Sequence, residues 1–267
     1  MPVSPVILIT GASSGIGEAA ARRFCIGGYR VVLAARRLDR LLSLAEELES
    51  AGGQALAVST DIAQLKDIQS LVSTAMEHYG QIDVLFNNAG FGKLAWLDEL
   101  DPLNDIHNQI LVNQLGVIQT TRAVLPEMIA RRQGHIINMG SMAGFIATPT
   151  YSIYAASKFA VRGFSEALRR EVGVYGIHVS VIYPGGVATE FKSHTGAKRK
   201  TGMTTPRWLR LTPERVAETV WKVVQRPRRT VLLPWVYSLA VAVNTLFPGL
   251  VDRIIEARFT RRERDLD

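Results

Sequence analysis

Short apolar, β-branched segments alternate with longer amphipathic segments along most of the 267-residue chain. Continuous apolar runs of this kind are typical of strands that are buried on both faces of a parallel sheet. They predict strands at residues 6–9, 30–34, 55–59, 84–86, 134–139, 178–183 and 230–234, and helices at 15–27, 38–51, 65–79, roughly 102–131 and roughly 154–174. This alternation predicts an α/β fold, a doubly wound parallel sheet with helices on both faces.

The chain departs from this pattern near its end, because residues 230–251 contain no charged side chain. That length approaches the roughly 20 residues of a membrane span, but Pro234, Asn244, Pro248 and Gly249 interrupt it. We therefore predict an apolar helical extension over about 234–267 instead of a span. Three interpretations remain open: docking on its own domain, a dimer contact, or peripheral contact with a membrane beside the arginine-rich end.

A polar, basic and turn-rich segment covers residues 192–210. Ligands of open α/β sheets bind beyond the carboxyl ends of the strands, so a long excursion after a late strand is a candidate substrate lid. We place this lid at about 190–212, with a disordered surface loop as the alternative.

Composition favours one large domain over residues 1–267, since 47% of the residues are hydrophobic and 21% are charged. The single cysteine, Cys25, excludes an internal disulfide and fits a reducing, cytoplasmic compartment. The net charge of +7 is compatible with anionic lipid, an anionic substrate or nucleic acid. No nucleic-acid module accompanies the basic residues, so we expect no nucleic-acid partner, and we predict no metal site.

A glycine-rich turn joins the first predicted strand to the first predicted helix. Glycines allow a tight turn and close approach to a pyrophosphate, while the helix N-terminus offers free amides to the phosphates. The spacing is G-x-x-x-G-x-G, and its place between strand and helix predicts a Rossmann-type dinucleotide site. The candidate residues are Gly11, Ser13, Ser14, Gly15, Ile16 and Gly17.

The end of the second strand indicates which dinucleotide binds. An Asp or Glu roughly 20 residues after the turn usually binds the ribose 2′-hydroxyl of NAD. Here Arg36 and Arg37 follow the strand, and Asp39 comes only after them. Because a guanidinium suits a 2′-phosphate, the sequence predicts NADP(H), with NAD(H) less favoured.

Tyr154 and Lys158 are four residues apart, so they lie on one face of the predicted helix. A free tyrosine has a pKa of about 10, and a neighbouring ammonium is expected to lower it toward neutral pH. Tyr151 lies two turns from Lys158 and should couple less. Ser141 follows the strand at 134–139, and Asn113 is a polar amide among apolar neighbours that needs a hydrogen-bonding partner.

Taken together, these motifs resemble those of the short-chain dehydrogenase/reductase family. The matching segments are residues 10–17 (TGASSGIG), 87–90 (NNAG), Asn113, Ser141, 154–158 (YAASK) and 184–189 (PGGVAT). The resemblance implies that Tyr154 exchanges a proton with the substrate oxygen and that Lys158 lowers the phenol pKa and holds the nicotinamide ribose. It also implies that Ser141 hydrogen-bonds the reacting oxygen and that Asn113 holds a water in a proton relay.

The resemblance implies further cofactor contacts and an activity. Asp61 would contact adenine, and the cofactor would also be lined by Ile62, Asn88, Ala89, Gly90, Pro184, Gly185, Val187 and Thr189. We expect an NADP(H)-dependent reductase of a hydrophobic ketone that forms a homodimer or homotetramer. The alternatives are a catalytically silent NADP(H)-binding sensor and a membrane-associated scaffold of the same fold.

Overall fold

Seven parallel strands form one sheet in the order β3-β2-β1-β4-β5-β6-β7 in the computed structural model, which describes residues 4–190 and 205–264. The strands are β1 Val6–Thr10, β2 Arg30–Ala35, β3 Gln54–Ser59, β4 Val84–Asn87, β5 Gly134–Met139, β6 Ile177–Pro184 and β7 Thr230–Leu233. Each strand agrees with its predicted bounds to within one residue at either end. The strand order reverses between β1 and β4, which creates the crevice where such sheets bind ligands.

Two apolar cores cover the two faces of the sheet. Ile7, Ile9 and Leu33 belong to one core, while the intervening Leu8 and Val32 belong to the other. This alternation follows from the two-residue period of a strand, which directs successive side chains to opposite faces. The predicted doubly wound α/β fold is therefore confirmed.

Helices α1 to α5 correspond to the five predicted helical segments. They are α1 Gly15–Ile26, α2 Leu38–Ser50, α3 Leu65–Tyr79, α4 at 102–131 and α5 Ser152–Val172. Asp101 caps α4 as its sequence indicates, with its carboxylate accepting from the amides of Leu103 at 3.0 Å and Asn104 at 2.6 Å. However, α4 is not regular, since Pro102–His107 and Leu111–Leu115 are π-helical.

Helix α6, Pro213–Gln225, was not among the predicted helices. The chain does contain signals for it: Thr212 accepts from the Arg215 amide as an N-cap, and Pro213 occupies the first turn. Its buried face, with Val216 and Val220, packs on α1. The predicted lid at 190–212 precedes this helix, and residues 191–204 of that lid, including Phe191, lie outside the described part of the chain.

The C-terminal extension is helical, as predicted. It contains α7 Tyr237–Leu246 and α8 Pro248–Ile255, and the helical run continues to Glu263. In residues 4–190 and 205–264 no single helix is long and apolar enough to cross a membrane; α7 and Pro248–Glu263 meet such a test only as a pair, bent by 107°.

The extension contacts its own domain near each of its two ends. The ring of Tyr237 lies directly over Gly185, where an added Cβ would overlap it. Near the other end, the buried ring of Phe259 lies 6.4 Å from that of Trp96, and Arg264 bonds Asp98 at 2.6 Å. Both contacts are with loops that follow the carboxyl ends of strands.

We predict that Trp221→Ala destabilises the fold by about 2 kcal/mol, because the indole joins α6 to α1. Its ring lies 5.3 Å from that of Phe24 and 4.0 Å below the guanidinium of Arg23. Urea denaturation would measure the loss. Trp208→Ala is the matched control, since Trp208 is exposed; equal losses in the two variants would contradict the assigned role.

Candidate active site

The glycine-rich turn after β1 packs directly against the segment after β4. Gly11 has a φ of +68°, and a Cβ there would lie 2.8 Å from the Ala89 Cα; a Cβ on Gly17 would overlap the Gly11 carbonyl. The Asn88 side-chain amide donates to the carbonyls of Thr10 at 3.0 Å and Gly11 at 3.2 Å. The Thr10 hydroxyl in turn accepts from the Asn88 and Ala89 amides, each at 3.1 Å. Only glycine fits this tight, left-handed turn.

The N-terminus of α1 is suited to a phosphate. Ser14 is its N-cap, and the Ser14 side chain makes no capping hydrogen bond to the amides of the first turn. Gly15 has a φ of +58°, and a Cβ there would lie 3.1 Å from the Thr189 methyl carbon, so the turn is narrow on this side too. Free amides at a helix N-terminus beside a glycine cradle fit the pyrophosphate of a dinucleotide.

Arg37 extends over the glycine-rich turn. Its guanidinium donates to the hydroxyls of Ser13 at 3.0 Å and Ser14 at 2.9 Å, and to Glu190 at 3.2 Å. Arg40 also bonds Glu190, at 2.9 Å, and the two guanidinium groups lower the pKa of Glu190 to about 2. Arg36 is exposed and makes no hydrogen bond or ion pair with any residue in the described ranges. The predicted cationic end of β2 therefore adjoins the phosphate-binding turn.

The remaining predicted cofactor residues lie along the same edge of the sheet. Asp61 follows β3 and its carboxylate accepts from the Ala63 amide at 3.0 Å, whereas Ile62 is buried against α4. Pro184 ends β6, and the amide of Gly185 donates to the Leu233 carbonyl at 2.7 Å. Val187 pairs with Leu211 in an isolated bridge. These residues thus stand at the ends of β3 and β6, on either side of the turn after β1.

Asn113 has the hydrogen-bonding partners that its apolar surroundings require. Its amide nitrogen donates to the Phe91 carbonyl at 2.7 Å and to the Ser157 hydroxyl at 3.3 Å, and its oxygen accepts from the Phe91 amide at 2.9 Å. It lies in the π-helical turn Leu111–Leu115, a local distortion that is frequent at functional sites. Asn113 therefore joins α4, α5 and the segment after β4.

The other three predicted catalytic residues lie together beside it. Ser141 hydrogen-bonds the Tyr154 phenol, and the Lys158 amine donates to the Met139 carbonyl at 2.9 Å, where β5 ends. The amine is 5.7 Å from the centroid of the Tyr154 ring. A Cβ on Gly90 would lie 3.6 Å from the same amine and 3.0 Å from the Asn113 oxygen, so Gly90 leaves the space between them open.

The expected lowering of the Tyr154 pKa is wrong for this structure. Burial raises the pKa of the phenol to about 12 and outweighs the opposing effect of the hydrogen bond from Ser141. Burial also lowers the pKa of the Lys158 amine to about 8. The cause is common to both groups, since a water-excluded crevice disfavours the charged form of each. The phenol is therefore protonated at neutral pH.

Several residues near the site were not predicted from the sequence. Tyr237 and Trp96 reach the carboxyl edge only through long-range packing, so no local motif indicates them. Thr150, directly before Tyr151, has a φ of 68°, and its buried hydroxyl has no hydrogen-bond partner among the described residues. A β-branched residue in this conformation is strained by about 1–3 kcal/mol. The strain adjoins the start of the helix that contains Tyr154.

A cavity of about 470 Å³ lies elsewhere, at the amino edge of the sheet. Its lining includes Asp83, Arg131 and His135 and none of the predicted site residues. Its volume is therefore unrelated to the chemistry at the carboxyl edge.

We predict that the stability of the wild type rises with pH relative to that of Lys158→Met. The folded-state pKa of Lys158 is lowered from 10.5 to about 8, so between these values the unfolded chain binds a proton that the folded chain has lost. From pH 7 to pH 10 the free energy of unfolding should rise by about 2 kcal/mol more in the wild type. Urea denaturation across this range measures it; parallel pH profiles would show that the amine is not desolvated.

Comparison with known proteins identifies the family of the chain. A sequence model of the short chain dehydrogenase family matches residues 5–200. The NADP-dependent 3-hydroxy acid dehydrogenase of Salmonella typhi is 38% identical over 225 residues, covering 83% of this chain and 90% of that protein. Dehydrogenase/reductase SDR family member 7B of Bos taurus is 35% identical over 272 residues, covering 97% of this chain and 82% of that protein.

Solved structures show the same architecture. A short chain dehydrogenase/reductase from Burkholderia phymatum in complex with NAD superposes with a TM-score of 0.83 at 27% identity, covering 92% of this chain and 95% of that one. The matching motifs, sheet order and relatives lead to one conclusion: the chain belongs to the short-chain dehydrogenase/reductase family and is an NAD(P)-dependent oxidoreductase.

Proposed function

We propose that this protein is an NADP(H)-dependent carbonyl reductase in which Tyr154 is the proton donor, assisted by Lys158, Ser141 and Asn113. The observation that supports this most directly is the buried phenol of Tyr154, hydrogen-bonded to Ser141 in the crevice that contains the Lys158 amine and Asn113. The bound cofactor would supply a hydride to the carbonyl carbon. The protein supplies the proton, the orientation and the exclusion of water.

Each side chain has a distinct part in this proposal. Ser141 and Tyr154 would both hydrogen-bond the carbonyl oxygen, and the phenol proton would pass to that oxygen as the alcohol forms. The phenolate left behind is costly in a dry crevice, so the nearby ammonium of Lys158 would stabilise it. Asn113, fixed by Phe91 and Ser157, would orient a water through which the proton is replaced.

The pKa directions favour reduction at neutral pH. A phenol with a pKa raised to about 12 is in its acid form, which is the form that donates a proton to a carbonyl. Oxidation of an alcohol would need the phenolate instead. Lys158, with a pKa lowered to about 8, is still mostly protonated at pH 7 and can restore the phenol proton.

NADP(H) is the proposed cofactor because the end of β2 is cationic. Arg37 lies over the phosphate-binding turn and Arg36 is exposed beside it, where an adenosine 2′-phosphate would be placed by a cofactor bound on this turn. The Salmonella relative is NADP-dependent, whereas the Burkholderia protein holds NAD. The family thus uses both, and the arginines favour the phosphorylated one.

The proposed substrate is a ketone with a hydrophobic group. Trp96, in the loop after β4, packs against Phe259 of the extension, and Tyr237 packs over Gly185 in the loop after β6, both at the edge that contains Tyr154. Phe145 and Tyr183 pack on each other with ring centroids 4.6 Å apart, and Tyr183 is fully buried, so these two rings belong to the core. The apolar contacts would therefore come from Trp96 and Tyr237.

We predict that Tyr154→Phe lowers kcat for ketone reduction at least about 100-fold, because the proton donor is removed while the ring packing is kept. NADPH binding, followed by nucleotide fluorescence, should stay within a few-fold of the wild type. Tyr151→Phe is the control, since that ring lies only 6.1 Å from the Tyr154 ring yet is not the proposed donor. Retained turnover in Tyr154→Phe would refute the assignment.

We also predict that Arg36→Asp raises KM for NADPH about 10-fold and shifts preference toward NADH, because a carboxylate repels the 2′-phosphate and accepts from a 2′-hydroxyl. Steady-state kinetics with both cofactors would measure the ratio. Arg22→Asp makes the same change in charge away from the end of β2, on α1, where Arg22 pairs with Glu18 and Glu47. An unchanged cofactor ratio in Arg36→Asp would show that the arginine has another role.

A further inference from the structure

Helix α7 is an apolar helix that lies on the surface of the protein, unlike an ordinary surface helix, which buries its apolar face. Helix α6 buries Val216 and Val220 and turns its charged side chains outward. By contrast, α7 contains no charged residue, yet none of its ten residues is buried in the protein. A helix that is apolar on most of its surface is normally enclosed by protein or by lipid. Since the described part of the chain does not bury α7, the helix presents an apolar surface to whatever contacts the protein there.

The exposed apolar side chains are contiguous along the extension. They cluster where α7 turns into α8, a region we call the hairpin tip, formed by Leu246, Phe247, Pro248, Gly249 and Leu250. The exposed large side chains of the extension are Trp235, Leu239, Val243, Leu246, Phe247, Leu250 and Ile254. Isolated apolar residues are normal on surfaces, but a continuous patch marks an interaction site.

Charged residues follow the hairpin tip: residues 252–264 contain five arginines and the acids Asp252, Glu256 and Glu263. Arg253, Arg258 and Arg262 make no hydrogen bond or ion pair with any residue of the chain that the structure describes, whereas Arg261 pairs with Glu256 and Arg264 with Asp98. In a membrane surface, an apolar tip would contact the acyl chains and the neighbouring guanidinium groups would contact the anionic headgroups above them. Trp235, exposed at the other end of α7, is of the type enriched at that boundary.

The dimensions suit one leaflet. A helix of ten residues such as α7 is roughly 15 Å long, half of a hydrocarbon core of roughly 30 Å. The bend of 107° between α7 and Pro248–Glu263 would return the chain to the side from which it entered. A second copy of the chain fits less well, because a two-fold contact through the tip would place like-charged arginines near one another.

We propose that the hairpin tip inserts into one leaflet of a membrane that contains anionic lipid, and that Arg258 and Arg262, two or more helical turns after the tip, bind the headgroups. The extension is fixed to the domain through Tyr237 on Gly185 and through Arg264 on Asp98. Both contacts are with loops at the carboxyl edge of the sheet, so insertion turns the catalytic edge toward the lipid surface. This inference does not depend on the proposed reaction.

Flotation of the full-length protein with vesicles tests the inference. Binding is expected to vesicles of phosphatidylcholine with phosphatidylglycerol, and the triple variant Leu246→Ser/Phe247→Ser/Leu250→Ser should bind at least about 10-fold more weakly. These side chains are 71%, 58% and 55% exposed, so the fold should not change. The matched control, Ile26→Ser/Val174→Ser, removes side chains that are 81% and 69% exposed elsewhere and should bind like the wild type.

Two further measurements identify the groups involved. Arg258→Ala/Arg262→Ala should remove most of the preference for anionic vesicles while leaving weaker binding. Vesicles should shift the tryptophan emission to the blue, and Trp235→Phe should lose most of that shift. Failure of the wild type to float with anionic vesicles would overturn the proposal. So would a triple variant that still floats but has lost self-association in sedimentation velocity, because the tip would then belong to a second copy.

Discussion

The position of the site follows from the order of the parallel sheet. Because β1, β4, β5 and β6 run side by side in the same direction, their carboxyl ends deliver four distant segments to one edge. The glycine-rich turn, the segment after β4, the Lys158 amine on the Met139 carbonyl, and the loop after β6 meet there. The contact of Gly11 with Ala89 leaves no room for a side chain, so this arrangement tolerates little displacement.

Exclusion of water controls the chemistry at this edge. The proximity of Lys158 alone predicts a lowered pKa for the Tyr154 phenol. Burial instead raises the pKa of the Tyr154 phenol and lowers that of the Lys158 amine. Burial therefore favours the neutral form of both the phenol and the amine. A phenolate on Tyr154 is stabilised only if the Lys158 amine carries a positive charge. In the proposed mechanism the Lys158 amine would act when a phenolate forms on Tyr154. Burial of the pair favours the protonated phenol, which is the form that the proposed reduction requires.

The C-terminal extension contacts the carboxyl edge of the sheet at both of its ends and exposes an apolar surface between them. Its first contact places Tyr237 over Gly185, and its last places Arg264 on Asp98 and over the Trp96 ring, at 4.2 Å. Between them the chain offers an apolar surface that the domain does not cover. The same segment therefore contacts two loops of the carboxyl edge and carries the surface that we propose for membrane docking, which would couple substrate access to location. For a hydrophobic carbonyl compound, which partitions into lipid, such coupling would favour capture.

The sequence by itself determined the strands, the glycine-rich turn and the pairing of Tyr154 with Lys158, because local periodicity and short motifs specify these features. The grouping of that pair with Asn113 and Ser141 was implied by the family resemblance. The sequence also indicated a hydrogen-bonding role for Asn113, though not the partner Phe91. Only the tertiary structure decided the direction of the pKa shifts, since desolvation depends on every element packed around the crevice. The same holds for Tyr237 on Gly185 and for the uncovered face of α7: they depend on contacts between distant segments, which no local pattern encodes.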